Sequence, residues 1–125
     1  MCIRDRIGLG NIGRAVARAA DALGMKIRFF DNRVVANEVG EEFGWESCDS
    51  IRQVFRTSDY VTVHLSAVDV KGNSNESCLN FELLHQLGAE RPESSPRVFL
   101  NLSRGVLHSP EDLMRAISEL SLIHI

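Results

Sequence analysis

Ile7-Gly8-Leu9-Gly10-Asn11-Ile12-Gly13 is the stretch that decides the fold of this 125-residue chain. Its G-x-G-x-x-G spacing gives each glycine a separate task. Gly8 permits a tight turn out of a strand, Gly10 lets backbone N–H groups approach a pyrophosphate, and Gly13 lets the next helix pack close to a sheet. Asn11 and Ile12, at the start of that helix, share the cofactor-facing position, where the helix directs its positive end at phosphates. Ile12, Ala15, Val16, Ala19, Ala20 and Leu23 then recur at amphipathic helical spacing, with Gly24 as a stop. Lys26-Ile27-Arg28-Phe29-Phe30 is a short β-prone run that ends on Asp31. Asp31 lies 18 residues past Gly13, near the roughly 20-residue spacing of a carboxylate that takes ribose hydroxyls. Asp31-Asn32-Arg33 also suits a turn, and the two roles are compatible. A carboxylate at this place repels a 2′-phosphate and favours NAD over NADP, while Arg33 works against that preference. Three glycines alone are weak evidence; the strand-turn-helix-strand-Asp context gives them weight.

The same alternation continues. Ala36 to Phe43 reads as a helix stopped by Gly44, Trp45-Glu46 as a short strand, and Asp49 or Ser50 as the cap of a helix through Ile51, Val54 and Phe55. Tyr60-Val61-Thr62-Val63-His64 is a β-branched and aromatic strand. Residues 65 to 78 read as a loop, Asn80 caps a helix from Phe81 to Leu87, and residues 89 to 96 form another loop. Arg97 to Asn101 is a strand opening into Leu102-Ser103-Arg104-Gly105. Pro110 suits a first helical position, and Ser109 with Asp112 three residues on makes an S-x-x-D capping pair. Strand-helix repetition predicts an α/β fold, a Rossmann-type doubly wound parallel sheet, incomplete at its C-terminal side. The glycine turn, Asp31, His64 and Asn101 to Gly105 each follow the carboxyl end of a strand, so all fall on one edge of the sheet.

A composition of 44% hydrophobic and 25% charged residues supplies one core. The length is short of the roughly 150 residues of a complete two-half domain. A net charge of −3 without a basic block argues against nucleic acid or an anionic membrane as partner. No apolar stretch reaches the roughly 20 residues of a membrane span. Cys2, Cys48 and Cys78 are widely spaced, which fits the reducing cytoplasm and argues against a metal site. Packing is the expected role of Cys48 and Cys78, with a nucleophile as the alternative. Arg4-Asp5-Arg6 interrupts what should be a continuous apolar first strand. MCIRDR and LSLIHI are similar to translated sequencing-adapter sequence. The expectation is therefore a domain fragment over 1–125 whose native part is about 7–119, with foreign ends at 1–6 and 120–125 and no substrate domain.

IGLGNIG, FFDNR, YVTVHLS and FLNLSRGVLHSPEDL together resemble the NAD-binding domain of the D-isomer-specific 2-hydroxyacid dehydrogenases, more loosely its phosphoglycerate-dehydrogenase-like branch. The resemblance implies NAD as cofactor, with His64, Asn101 and Ser103 beside it and Arg104 as the catalytic arginine. A guanidinium fork there holds a substrate carboxylate and polarises the carbonyl. A surface pair of Arg104 with Glu111 or Asp112 is the plain alternative, as a buried structural histidine is for His64. The chain departs from the family at Ser66, where a proline is usual, and in the longer loops 65–79 and 88–96. The family's general acid and its carboxylate partner lie downstream of the arginine, outside this sequence. The implied function is the NAD-binding part of an oxidoreductase moving a hydride between NAD and a D-2-hydroxy acid or 2-oxo acid, with 3-phosphoglycerate as candidate. The chain alone is expected not to turn over, and the whole enzyme to be a homodimer. A NAD-sensing, corepressor-like binding protein on the same fold is the alternative. A methyltransferase is disfavoured by Gly13 and the Asn-x-Ser-Arg-Gly turn. Short-chain dehydrogenases are excluded because Tyr60 is not followed four residues later by lysine.

Overall fold

A computed structural model describes residues 3–66, 68, 71–103, 105–120, 123 and 124. Six strands form one parallel sheet in the order β3-β2-β1-β4-β5-β6, the arrangement of a doubly wound fold. In chain order the elements are β1 (Ile3–Ile7), α1 (Asn11–Ala22), β2 (Lys26–Phe30), α2 (Val34–Phe43), β3 (Glu46–Ser47), α3 (Ile51–Thr57), β4 (Tyr60–Val63), α4 (Phe81–His85), β5 (Val98–Asn101), α5 (Pro110–Leu120) and β6 (Ile123–His124). A 3₁₀ turn at Gly105–Leu107 leads into α5.

The sheet is covered on both faces, as parallel sheets require. One face of β2, Ile27 and Phe29, packs with Leu9, Ala17, Ala20, Ala36 and Trp45 under α1 and α2. On the other, Val61, Val63 and Phe99 meet Val54, Phe55, Leu84, Leu113 and Ala116 of α3, α4 and α5. The alternation of side chains along β2 and β4 thus feeds two separate apolar layers. Trp45 is not in a strand, as its sequence position suggested. It is a core residue, 6% exposed, stacked on Phe43 at 4.7 Å and donating from its indole N–H to Asp21 Oδ2 at 3.0 Å.

Helix starts follow the capping residues of the sequence. Ser50 rather than Asp49 caps α3, its hydroxyl accepting from Gln53 N–H at 3.1 Å, and Asn80 caps α4 by accepting from Leu83 N–H at 3.0 Å. The S-x-x-D pair at α5 is only half closed. Ser109 Oγ accepts from Asp112 N–H at 3.1 Å, but Asp112 Oδ2 accepts from Phe81 N–H, 3.1 Å away at the start of α4. One carboxylate thereby ties two helices together, a long-range use that local spacing cannot reveal. Element ends shift from expectation by small amounts. α2 starts at Val34, β4 ends at Val63, and α4 ends at His85 because Gln86 and Leu87 close tighter turns onto Leu83 and Leu84.

The charged triplet Arg4-Asp5-Arg6 does not break the first strand. β1 is the central strand, paired with β2 from Ile3–Lys26 to Ile7–Phe30 and with β4 from Arg4–Tyr60 to Ile7–Val63. Asp5 stands in register with Arg28. At the far side β6 meets β5 over Val98–Ile123 and Phe99–His124. Cys2 and Arg104 lie outside the described residues. No helix among the described residues is long and apolar enough to cross a membrane.

Candidate nucleotide site

Ligand crevices in doubly wound sheets open beyond the carboxyl ends of the strands, where the order reverses. Here that point is the gap between β1 and β4, and two adjoining clefts open there. The larger, about 750 Å³, is lined by Gly8, Gly10, Asp31, Arg33, His64 and Lys71 among others. The smaller, about 510 Å³, is lined by Gly10, Asn11, Ile12, Gly13, His64 and Ser103 among others. All but one of the described residues singled out for cofactor binding therefore reach one of two connected spaces.

Two of the three glycines are demanded by the protein itself. Gly8 has φ +93°, and a Cβ there would stand 2.6 Å from the His64 carbonyl oxygen. A Cβ on Gly13 would stand 2.3 Å from the Gly8 carbonyl oxygen, so α1 rests directly on the turn. Gly10 is different. Around a Cβ at Gly10 the nearest atoms are Arg33 guanidinium nitrogens at 3.5 and 3.9 Å, ordinary contact distances. Among the described residues nothing within 4 Å forbids a side chain at Gly10. Gly10 is the N-cap of α1, which has no side-chain cap and no acidic residue in its first turn. A helix start of this kind suits an anion.

His64 belongs to the wall of this turn. Its N–H donates to Ile7 O at 2.8 Å, extending the β1–β4 ladder, and its side chain is half-buried and lines both clefts. Asn101 lines neither cleft. Its Oδ1 accepts from the N–H and hydroxyl of Ser103, both at 3.0 Å, closing an Asx turn that presents Ser103 to the smaller cleft. Arg104 follows Ser103 directly and is not described.

Asp31 sits at the end of β2 as anticipated, with its side chain only 7% exposed. Both readings of Asp31-Asn32-Arg33 meet in it: Oδ1 accepts from Arg33 N–H at 2.9 Å, making the Asx turn. Oδ2 accepts from Leu9 N–H at 2.8 Å and so holds the glycine turn against β2. The Arg33 fork closes on both oxygens, Nε to Oδ1 at 3.0 Å and Nη2 to Oδ2 at 2.6 Å. Burial pushes the Asp31 carboxyl up. The Arg33 side chain, the Leu9 and Arg33 N–H groups and the guanidinium charge outweigh that, holding it below its ordinary 3.8.

A pH dependence follows with a definite sign. Because the folded carboxyl is the stronger acid, its stabilisation is complete above about pH 4 and is lost as pH falls through the lower folded value. Asp31→Asn should cost about 1–2 kcal/mol at pH 7, the loss of charge-assisted hydrogen bonds, and the gap to wild type should close below pH 4. Urea unfolding followed by Trp45 fluorescence at pH 7, 4 and 3 measures it; a gap independent of pH would contradict the assignment.

Sequence reasoning gave Arg33 too small a part and passed over the loop after His64. Lys71, Asn73 and Asn75 from that loop also line the larger cleft, and Asn75 Nδ2 donates to Ser66 O at 2.8 Å. An Arg two residues after a strand-end Asp is a signal that local spacing does carry. The loop carries none, since its contacts depend on how it folds back. Cys48 is buried in the core, which settles it as packing. Cys78 lines the larger cleft, where burial pushes its thiol up and away from a thiolate. Among the described residues no His, Cys, Asp and Glu side chains gather to hold a metal ion.

Residues 6–124 match the family described as D-isomer specific 2-hydroxyacid dehydrogenase, NAD binding domain. The chain is 30% identical over 115 residues to D-3-phosphoglycerate dehydrogenase of Methanocaldococcus jannaschii, covering 90% of itself and 20% of that protein. It is 28% identical over 115 residues to glyoxylate reductase of Korarchaeum cryptofilum, covering 90% of itself and 30% of that protein. Among solved structures, D-mandelate dehydrogenase of Rhodotorula graminis superposes with a TM-score of 0.79 at 24% identity, over 97% of this chain and 32% of that one. The NAD-complexed D-isomer specific 2-hydroxyacid dehydrogenase of Lactobacillus delbrueckii ssp. bulgaricus gives 0.77 at 24% identity, over 97% of this chain and 33% of that one. The chain thus spans between a fifth and a third of the length of these relatives.

Proposed function

The chain belongs to the D-isomer-specific 2-hydroxyacid dehydrogenase NAD-binding-domain family, and from that premise we propose that it forms the cofactor-holding part of an enzyme that interconverts 2-hydroxy and 2-oxo acids. The observation that carries this reading is Gly10, where no described residue within 4 Å forbids a side chain, at the mouth of two joined clefts. NAD supplies the hydride acceptor, or as NADH the donor.

The chain's own groups divide the remaining work. Backbone N–H groups from Gly10 to Gly13 receive the pyrophosphate at the uncapped start of α1. His64, Leu65 and Ser66 form the wall between the two clefts, lining both. Asn101 holds Ser103, and Arg104, the next residue in the sequence, takes the role its family resemblance implies: its guanidinium grips the substrate carboxylate and polarises the carbonyl. The cytoplasm is the compartment in keeping with Cys48 and Cys78 as thiols. Relatives include both a phosphoglycerate dehydrogenase and a glyoxylate reductase, so the proposal stops at the 2-hydroxy acid class. No observation favours the NAD-sensing alternative. Titration of the chain with NADH, followed by nicotinamide fluorescence, should show saturable binding that AMP competes away. Absence of saturable binding would refute the reading.

A further inference from the structure

Asp31 is the residue expected to take ribose hydroxyls, yet its acceptor positions are spent. A carboxylate offers about four lone-pair sites. Oδ1 accepts from Arg33 N–H and Arg33 Nε, and Oδ2 accepts from Leu9 N–H and Arg33 Nη2. The carboxylate is 7% exposed while the guanidinium is 39% exposed and lines the larger cleft. Of the two groups lining the cleft at this place, the arginine is much the more exposed. A guanidinium has five N–H donors, and Asp31 takes two of Arg33's, leaving three. Its Nη1 and Nη2 atoms lie beside Gly10, 3.9 and 3.5 Å from where a Cβ would be. Lys71 lines the same cleft.

A diol needs an acceptor to receive its hydroxyl protons, whereas a phosphate monoester needs donors and a positive field. We propose that Arg33 is the residue that sets the choice between NAD and NADP in this chain: clamped on Asp31, it blocks the carboxylate from the ribose diol and offers its remaining N–H groups to a 2′-phosphate. The clamp also neutralises Asp31, removing the repulsion that an isolated carboxylate would exert on that phosphate. NADP(H) is then accepted alongside NAD(H), and NAD(H) binds through Asp31 only once the fork has opened. This rests on the cofactor reading above and adds to it the group that the ribose subsite recognises.

NADH and NADPH differ only in the 2′-phosphate, which makes them the probes. Calorimetric titration of the wild-type chain should give dissociation constants within about tenfold of one another, since one charge-assisted contact offsets one blocked diol. Arg33→Ala should weaken NADPH by at least about tenfold and tighten NADH by a few-fold, crossing the two curves. Arg33→Lys keeps the charge without the fork and should fall between them; it also serves if the alanine variant does not fold. NADPH affinity unchanged in Arg33→Ala, or both nucleotides weakened by one common factor in either variant, overturns the inference and leaves the cofactor reading standing. Failure of the wild-type chain to bind either nucleotide removes both.

Discussion

Gly13→Ala should leave the chain without measurable NADH binding and lower its thermal midpoint by roughly 4–12 °C. The new methyl carbon would lie 2.3 Å from the Gly8 carbonyl oxygen, a backbone atom that no rotamer change can move. Either α1 lifts from the sheet or the turn at Gly8 opens. Overpacking of this kind costs about 1–3 kcal/mol, and a domain of this size loses roughly 4 °C for each of those. The effect on binding is larger because the displaced N–H groups are those proposed to face the phosphates, and about 1 Å of misplacement is worth orders of magnitude in a positioned site. Gly10→Ala is the comparison that separates the two causes. Its methyl would meet only the Arg33 guanidinium at 3.5 Å, so the midpoint should hold while NADH affinity falls. Equal midpoints for the Gly13→Ala variant and wild type, by scanning calorimetry, would show that α1 does not rest on the turn.

Arg104→Lys carries the second large effect, measured in the whole enzyme of which this domain is proposed to be part. A lysine keeps the charge but cannot present two parallel N–H groups to a carboxylate, and it loses the second donor that meets the developing alkoxide. Loss of one such donor is worth about 3 kcal/mol, or roughly a hundredfold in kcat. KM for the 2-oxo acid should rise and kcat fall together, with NADH affinity unchanged, because the cofactor contacts proposed here are made by other residues. Steady-state kinetics at varied 2-oxo acid and varied NADH separates these. A loss confined to NADH binding would remove Arg104 from the substrate and return it to the surface pair with Glu111 or Asp112.

The order of strands and helices was legible because the elements carry their own periods and three helices their own caps: Ser50, Asn80 and Ser109 act where local spacing puts them. The carboxyl-edge clustering of Gly8–Gly13, Asp31, His64 and Ser103 was legible too, since parallel strands leave no other arrangement. What local pattern could not give is set by partners far along the chain. Arg4-Asp5-Arg6 forms a central strand because β2 and β4 pair with it from both sides. Asp112 reaches to Phe81 rather than back to Ser109. Lys71 joins the site only through the folding back of its loop. Asp31 was found in the right place, but its occupation by Arg33 is a matter of side-chain geometry, which spacing does not encode.

The central position of β1 also orders events during synthesis. β1 leaves the ribosome before any strand it pairs with, and β2, whose Phe30 is in register with Ile7, follows closely enough to cover one edge early. The other edge must wait for Val63 of β4, so until α2, β3 and α3 have been made the strand presents unpaired backbone to its surroundings. The nascent sheet therefore grows outward on one side first and then on the other. The interval between those two steps is when a chaperone, or a second unfinished chain, would find its template.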